Sequence, residues 1–240
     1  MKLRFLSAGD RALVVEFGDR VDRALSERVL RLEAAIRAKP PVGIVETVPT
    51  FRSLTVCYDP LLTSGARLKN LIGALVDDNT ERRSAARLWQ IPVCYDGEFA
   101  PDLAEVARLT GLTPAEVVAL HSATRFHVYM LGFLPGFPYM GDLPPKLALP
   151  RRADPRLRVP AGSISIATSL TAIYPYESPG GWHLIGATPI RMFDPERPEP
   201  ALFAPGDAVS FQPIDGADFA SIRRAVDNGG YQVENAPIAK

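Results

Sequence analysis

The chain has 240 residues, of which 47% are hydrophobic and 22% are charged, and its 27 Lys and Arg equal its 27 Asp and Glu. This composition is typical of a globular protein and lacks the basic excess of a nucleic-acid-binding protein. Charges at Arg4, Asp10 and Arg11 interrupt the first apolar stretch, so we expect neither a secretory signal nor a membrane span, and we expect the cytoplasm. Cys57 and Cys94 lie in apolar, strand-like segments, which predicts buried free thiols.

The first part of the chain alternates between strand-like and helix-like patterns. A β-rich run precedes a helical stripe over 21–36, and two short strands about a turn precede a second stripe over 68–76. The segment "RLWQIPVCYD" (87–96) supplies one more strand. The order β, α, β, β, α, β predicts a small ferredoxin-like α/β domain over 1–88, whose last strand could also lead into the second domain.

The second part, 89–240, begins with helices and continues as β-structure. Two helices are predicted over 97–121, and Thr-Pro-x-Glu at 113–116 is a capping signal for the second. A late helix over 217–230 precedes a frayed tail. Short apolar runs closed by Pro, Gly or Asp predict a β-barrel or sandwich. These runs are "FHVYMLGF", "GSISIA", "TAIYP", "WHLIG", "IRMFD" and "AVSFQPI".

Four segments of this second part carry residues suited to a site. The first is "GFLPGFPYMGDLP", where Gly132, Pro135, Gly136 and Phe137 predict a shaped loop with aromatic walls. Loops of this kind often bind ligands. The alternative is a structural hairpin whose aromatic rings fill one end of the barrel.

The second segment is a cluster of arginines, Arg151, Arg152, Arg156 and Arg158, followed by a turn at Gly162. Guanidinium groups bind carboxylate or phosphate through paired hydrogen bonds, so the cluster predicts a site for an acidic substrate. Solvated arginines are also common in loops. We therefore expect only Arg151 or Arg156 to face a pocket.

The third and fourth segments contain the histidines. Gly180 and Gly181 could direct adjacent amides toward an anion as a nest, or form a plain turn. His183 follows closely and could transfer a proton, or pack beside its neighbouring tryptophan. His121 ends a predicted helix, where the helix dipole already favours a histidine, and His127 lies in the next strand. The sequence has no HExxH, CxxC or P-loop motif, so we expect no metal site.

Taken together and in order, these motifs resemble the signature of the family formed by the B subunits of 5-oxoprolinase. That family overlaps the sporulation-kinase inhibitor family and the domain once labelled allophanate hydrolase subunit 1, which also occurs within urea carboxylase. The resemblance extends to "GDRALVVEFG" and "GIVETVPTFRSLTVCYDP" near the N-terminus. It implies a cyclophilin-like β-barrel domain over 89–240 after the small α/β domain.

The resemblance also implies an activity, a cofactor and partners. The expected reaction is the ATP-dependent opening of 5-oxo-L-proline, a small cyclic amide, to L-glutamate. It is performed together with the A and C subunits of 5-oxoprolinase, of which the latter carries a related barrel. We expect the chain to be inactive alone. The alternatives are a regulatory protein that inhibits a histidine kinase and a protein that processes a urea-related amide within a larger enzyme.

The family's site residues are carried over by position. His121 and His183 are the expected proton-transfer residues. Ala187 stands where a basic residue is expected in much of the family, so an anion contact from that position is lost or supplied elsewhere. The expected substrate-binding residues are Gly132, Pro135, Gly136, Phe137, Arg151, Arg156, Pro160, Gly162, Tyr174, Pro179, Gly180, Gly181 and Trp182.

Overall fold

A computed structural model of the protein describes residues 3–77 and 86–238. The chain forms two compact units, Met1–Ala85 and Ala86–Lys240. The boundary predicted from the sequence lies a few residues further along, between residues 88 and 89.

The N-terminal unit is a four-stranded antiparallel sheet with two helices. Its strands lie in the order β1-β2-β4-β3. Helix α1 begins after Asp22, whose side chain accepts a hydrogen bond from the Leu25 amide at 3.2 Å. The apolar stripes of both helices meet the sheet in one core. The elements are β1 (Arg4–Ser7), β2 (Ala12–Glu16), α1 (Arg23–Ala38), β3 (Ile44–Pro49), β4 (Ser53–Tyr58) and α2 (Gly65–Asp77).

The ferredoxin-like arrangement expected for this unit is not confirmed. The predicted last strand of the unit pairs with strands of the second unit, and the position beside β2 is filled by β1, a four-residue strand that the sequence patterns did not predict. Apolar alternation shows which face of a strand is buried but does not identify its partner.

The second unit contains ten strands and three α-helices. Its helices are α3 (Leu103–Thr110), α4 (Pro114–Ser122) and α5 (Gly216–Asp227), with short 3₁₀ turns at Gly97–Phe99 and Pro145–Leu147. Its strands are β5 (Arg87–Cys94), β6 (Phe126–Leu131), β7 (Pro138–Gly141), β8 (Arg156–Val159), β9 (Ser163–Ala167), β10 (Leu170–Ile173), β11 (Ser178–Gly180), β12 (His183–Ala187), β13 (Ala208–Ile214) and β14 (Asn235–Pro237).

Seven of these strands close into a barrel. Their order is β12-β9-β10-β7-β6-β13-β5, and the ring closes where Ala187 of β12 pairs with Cys94 of β5. The β5–β13 pair is parallel, whereas the other pairs in the ring are antiparallel. Asp207 fixes this pair, since its carboxylate accepts hydrogen bonds from the Arg87 amide and the Trp89 indole, both at 2.9 Å. The closed barrel fits the predicted cyclophilin-like fold.

Local signals in the second unit were largely confirmed. Thr113 and Glu116 form the expected capping box at the start of α4, and Gly111 ends α3 with a φ of 69°. Two predictions were wrong: "IRMFD" forms no strand, and the predicted frayed tail contains β14, which pairs with β5. None of the described helices is both long enough and apolar enough to span a membrane.

We predict that Gly162→Ala destabilises the second unit far more than Gly111→Ala. Both glycines have a left-handed φ, but a Cβ at Gly162 would lie 2.4 Å from the Thr188 carbonyl oxygen, whereas a Cβ at Gly111 would have open space. The expected loss of unfolding free energy is about 1 kcal/mol at Gly111 from backbone strain and at least about 3 kcal/mol at Gly162. Urea denaturation measures the free energy of unfolding of both variants. Equal losses would contradict the close approach of residue 162 to the Thr188 carbonyl.

Candidate functional site

The carboxylate of Asp102, which sequence patterns did not single out, is the centre of a group of hydrogen bonds in the barrel unit. It is 4% exposed and accepts four hydrogen bonds. Two come from Arg156, at 2.8 Å to Oδ2 and 2.6 Å to Oδ1, and one comes from Arg152 at 3.1 Å. The fourth comes from the Leu184 amide at 2.7 Å, and the Asp102 amide donates in return to the Leu184 carbonyl at 2.9 Å. A buried carboxylate therefore connects the start of α3, the arginine segment and β12.

The arginine cluster divides into paired and unpaired members. Arg156 is held in a two-point ion pair by Asp102, and Arg152 also contacts Glu105 at 3.1 Å. Arg158 pairs with Glu177 in solvent at 3.3 Å. Within the described ranges, no hydrogen bond or ion pair engages the Arg151 guanidinium. Of the two arginines predicted to face a pocket, Arg156 is therefore neutralised and Arg151 retains its binding capacity.

A cleft of about 340 Å³ lies between α3 and the arginine segment. His183 lines it and donates from Nε2 to the Pro150 carbonyl at 3.0 Å, because a carbonyl can only accept. Nδ1 is buried and has no hydrogen-bond partner among the described residues. The full lining comprises Glu105, Leu109, Leu149, Pro150, Arg151, Arg152, Ala153, Asp154 and His183. An unpaired guanidinium and a histidine with an unpartnered ring nitrogen thus belong to the lining of one small cleft.

The predicted aromatic loop packs beside this region. Phe137 contacts Tyr139, Tyr174 and Trp182, with ring centroids 5.0, 5.1 and 6.5 Å away. We call these four residues the aromatic cluster. Burial raises the pKa of Tyr174 to about 12, against a lowering by the nearby charges of Arg151 and Arg156. Residues 132–144 line neither this cleft nor a second one beside Gly162, so the loop's role as a substrate wall stays a prediction.

Several predicted glycines have structural causes. A Cβ at Gly136 would meet the Phe193 side chain at 2.7 Å, and a Cβ at Gly180 would meet the Tyr174 hydroxyl at 2.2 Å. The anion nest predicted at Gly180 and Gly181 is absent, because neither residue has the left-handed φ that a nest requires. Gly180 instead lies in β11, paired with Arg156 of β8, and Gly181 accepts a hydrogen bond from the Arg152 amide at 2.8 Å.

The remaining loop and turn residues are placed as follows. Gly132 begins a hairpin between β6 and β7, and its amide donates to the Phe137 carbonyl at 3.1 Å. Pro135 is exposed at the tip of this hairpin, and Pro179 is exposed on β11. Both backbone polar groups of Gly162 are bonded, to Tyr174 and to Thr188. The neighbours of Gly162 line the second cleft, of about 210 Å³, which also contains Pro160 and Ala187.

His121 is part of a hydrogen-bonded chain inside the barrel. The Thr171 hydroxyl donates to the Ser165 carbonyl at 2.9 Å, so it must accept from His121 Nε2, 3.1 Å away. Nδ1 of His121 then accepts from the Tyr95 hydroxyl at 2.8 Å. The ring is fully buried and stacks on Phe211. Both ring nitrogens of His121 are therefore occupied in the core, and its expected role in proton transfer to a substrate stays a prediction.

A closed barrel with a charged cleft on its side is a frequent form of small-molecule site. Residues 3–203 match the family described as carboxyltransferase domain, subdomain C and D, and the chain belongs to this family.

Individual relatives extend this result. The chain is 38% identical to the B subunit of 5-oxoprolinase from Bacillus subtilis, over 88% of this chain and 92% of the relative. The crystal structure of TTHA0988 superposes with a TM-score of 0.77 at 40% identity, covering 86% of this chain but only 40% of that longer chain. The Kluyveromyces lactis urea carboxylase shares the fold, with a TM-score of 0.81 at 22% identity over 98% of this chain and 24% of the enzyme.

We predict that His121 stays neutral throughout the physiological pH range and makes the fold sensitive to acid. Burial lowers its pKa from 6.5 to about 3, so between these values the unfolded chain binds a proton that the folded chain excludes. Unfolding free energy should then fall as pH drops below 6.5, by up to about 1.4 kcal/mol per pH unit from this group.

Denaturation of the native protein and of His121→Gln at several pH values between 7 and 4 checks this effect. The variant should be less stable at pH 7 by about 2–4 kcal/mol, because it breaks the chain of hydrogen bonds, but its stability should depend less steeply on pH. Imidazole NMR should show the Nε2–H tautomer at His121. A His121 signal that titrates between pH 5 and 7 would contradict the assignment.

Proposed function

We propose that this protein is the B subunit of an ATP-dependent 5-oxoprolinase complex, which opens 5-oxo-L-proline to L-glutamate in a site completed by partner proteins. The name and near full-length alignment of the Bacillus relative support its place in such a complex. The observation that carries the substrate assignment is the unpaired Arg151 guanidinium in the cleft that His183 also lines.

The cleft suits a compact monocarboxylate. Arg151 would bind the substrate carboxylate through two parallel hydrogen bonds. Leu109, Leu149 and Pro150 offer apolar surface for the ring methylenes of a five-membered lactam. One unpaired guanidinium matches one carboxylate and falls short of the charge of a triphosphate, so we place ATP binding elsewhere in the complex.

The chemistry needs an activated amide and a proton acceptor. A lactam is stabilised by resonance, and ATP would activate it by phosphorylating the ring carbonyl oxygen. Water then attacks that carbon, and the carbon–nitrogen bond breaks as the ring nitrogen takes up a proton, which leaves an acyl phosphate. A second water hydrolyses the acyl phosphate to the free carboxylate and phosphate. In this chain His183 would accept the proton from the attacking water through Nδ1, since Nε2–H is held by the Pro150 carbonyl.

Partner proteins would supply the rest of the site. The barrel unit exposes Phe133, Leu157 and Tyr176, which are 62%, 86% and 40% accessible. Phe133 contacts Phe137 of the aromatic cluster, so a related barrel from the C subunit would lie next to that cluster if it covered Phe133. Permanent interfaces of this kind bury upward of about 2,000 Å².

We predict that this chain alone forms no glutamate from 5-oxoproline and ATP. The sequence has no P-loop motif, and the nucleotide is assigned to the complex. Glutamate formation is measured with this chain alone, with this chain and the C subunit, and with the A, B and C subunits together. Turnover should appear only in the complete mixture. Full turnover by this chain alone would refute the shared site.

We also predict that Arg151→Gln raises the KM for 5-oxoproline in the complete complex by about 10- to 100-fold, as expected for the loss of a charge-assisted hydrogen bond. The matched control is Arg158→Gln, which removes an equal charge from the same segment but only breaks an exposed pair with Glu177. Steady-state kinetics on both variants tests whether Arg151 binds the substrate carboxylate. Equal changes in the two KM values would contradict that role.

A further inference from the structure

Asp102 balances the charge beneath the cleft. Together with Glu105 it provides two negative charges for the two guanidinium groups of Arg152 and Arg156. Among the described residues, the exposed Arg151 is then the cation of the cleft lining without an ion pair, and the other remaining charge of the lining is the carboxylate of Asp154. Buried and half-buried charges interact over longer distances than solvated ones, because little water screens them. The charge of Asp102 therefore helps to set how many negative charges a ligand in the cleft can carry.

Asp102 also fixes the backbone on both sides of the cleft. Its two hydrogen bonds to Leu184 hold the start of β12, next to His183. Its ion pair with Arg152 holds the residue that follows Arg151, and the Arg152 amide is bonded in turn to the Gly181 carbonyl. Asp102 thus restrains Arg152 and Leu184. These are the immediate sequence neighbours of Arg151 and His183, which line the cleft.

We propose that Asp102 is the positioning and specificity-determining residue of this cleft, and that it restricts the cleft to ligands with a single negative charge. The identity of the ligand rests on the proposed function, whereas the selection by charge does not. By neutralising Arg152 and Arg156, Asp102 prevents the arginine segment from binding multiply charged anions. By holding Leu184 and Arg152, it keeps His183 and Arg151 on opposite parts of one small lactam.

Charge selection is tested on the isolated chain with two probes, 5-oxoproline as the single-charge anion and inorganic pyrophosphate as the multiply charged one. Binding is followed by calorimetry and by the imidazole NMR signals of His183. Asp102→Asn frees the Arg156 guanidinium, while Glu105 still pairs with Arg152, and should strengthen pyrophosphate binding roughly tenfold. Arg156→Gln leaves excess negative charge and should weaken the binding of both anions by a similar factor.

The charge-balanced double variant, Asp102→Asn with Arg156→Gln, keeps the test decisive where the single Asp102 change prevents folding. It removes one charge of each sign, so its preference for 5-oxoproline over pyrophosphate should return toward that of the native chain. Thermal unfolding monitored by circular dichroism confirms that each variant is folded. A purely structural role predicts that all three variants lose affinity for both anions together, and that result would overturn the proposal.

In the complete complex, the same residue should affect turnover through geometry. The double variant should lower kcat more than it raises the KM for 5-oxoproline, because Arg151 is retained while His183 loses its restraint. An unchanged kcat would overturn the positioning role. Opposite pyrophosphate effects of Asp102→Asn and Arg156→Gln, found together with a complete complex that does not turn over 5-oxoproline, would refute the proposed substrate while leaving the charge selection intact.

Discussion

Closure of the barrel by β5 is the constraint on which the rest of the second unit depends. Without β5, the other six strands would form a sheet with two open edges that expose unpaired backbone groups, and β5 joins these edges by pairing with β13 along its length and with β12 at its end. That closure places β12 beside the start of α3. The cleft exists because β12 and α3 are joined there, through Leu184 and Asp102.

The site combines two kinds of interior that proteins usually keep apart. The barrel core contains a large apolar cluster and the internally satisfied hydrogen-bonded chain through His121. The region outside β12 contains the aromatic cluster and a group of buried charges that balance one another. Charge groups of this sort contribute little net stability, but they hold donors and acceptors in fixed positions. A rigid barrel and a charge-balanced flank together can support a small-molecule site on the barrel's outer side.

Much of the fold could be predicted from the sequence, because helical periodicity, the Thr113 capping box and the Gly111 stop are local signals. The strand that pairs with β5 could not be predicted, since the alternating pattern of β5 fits any half-buried strand. The site was predicted less completely. Arginines and glycines can be selected as candidates by residue type alone. Which arginine is paired and which is free, Arg156 or Arg151, depends on a carboxylate some fifty residues away. Asp102 itself stands just before a helix, where the usual interpretation is an N-cap, but its side chain does not cap the helix.

The parallel pairing of β5 with β13 has a consequence for the synthesis of the chain. Trp89 and its hydrogen-bond partner Asp207 are 118 positions apart in sequence, so β5 leaves the ribosome long before the strand that pairs with it. Contacts between such distant segments form slowly, and apolar strands that wait for their partners are prone to aggregate. Until β13 has been translated, the nascent barrel carries an open edge along most of β5, and its solubility depends on how quickly the last third of the chain follows.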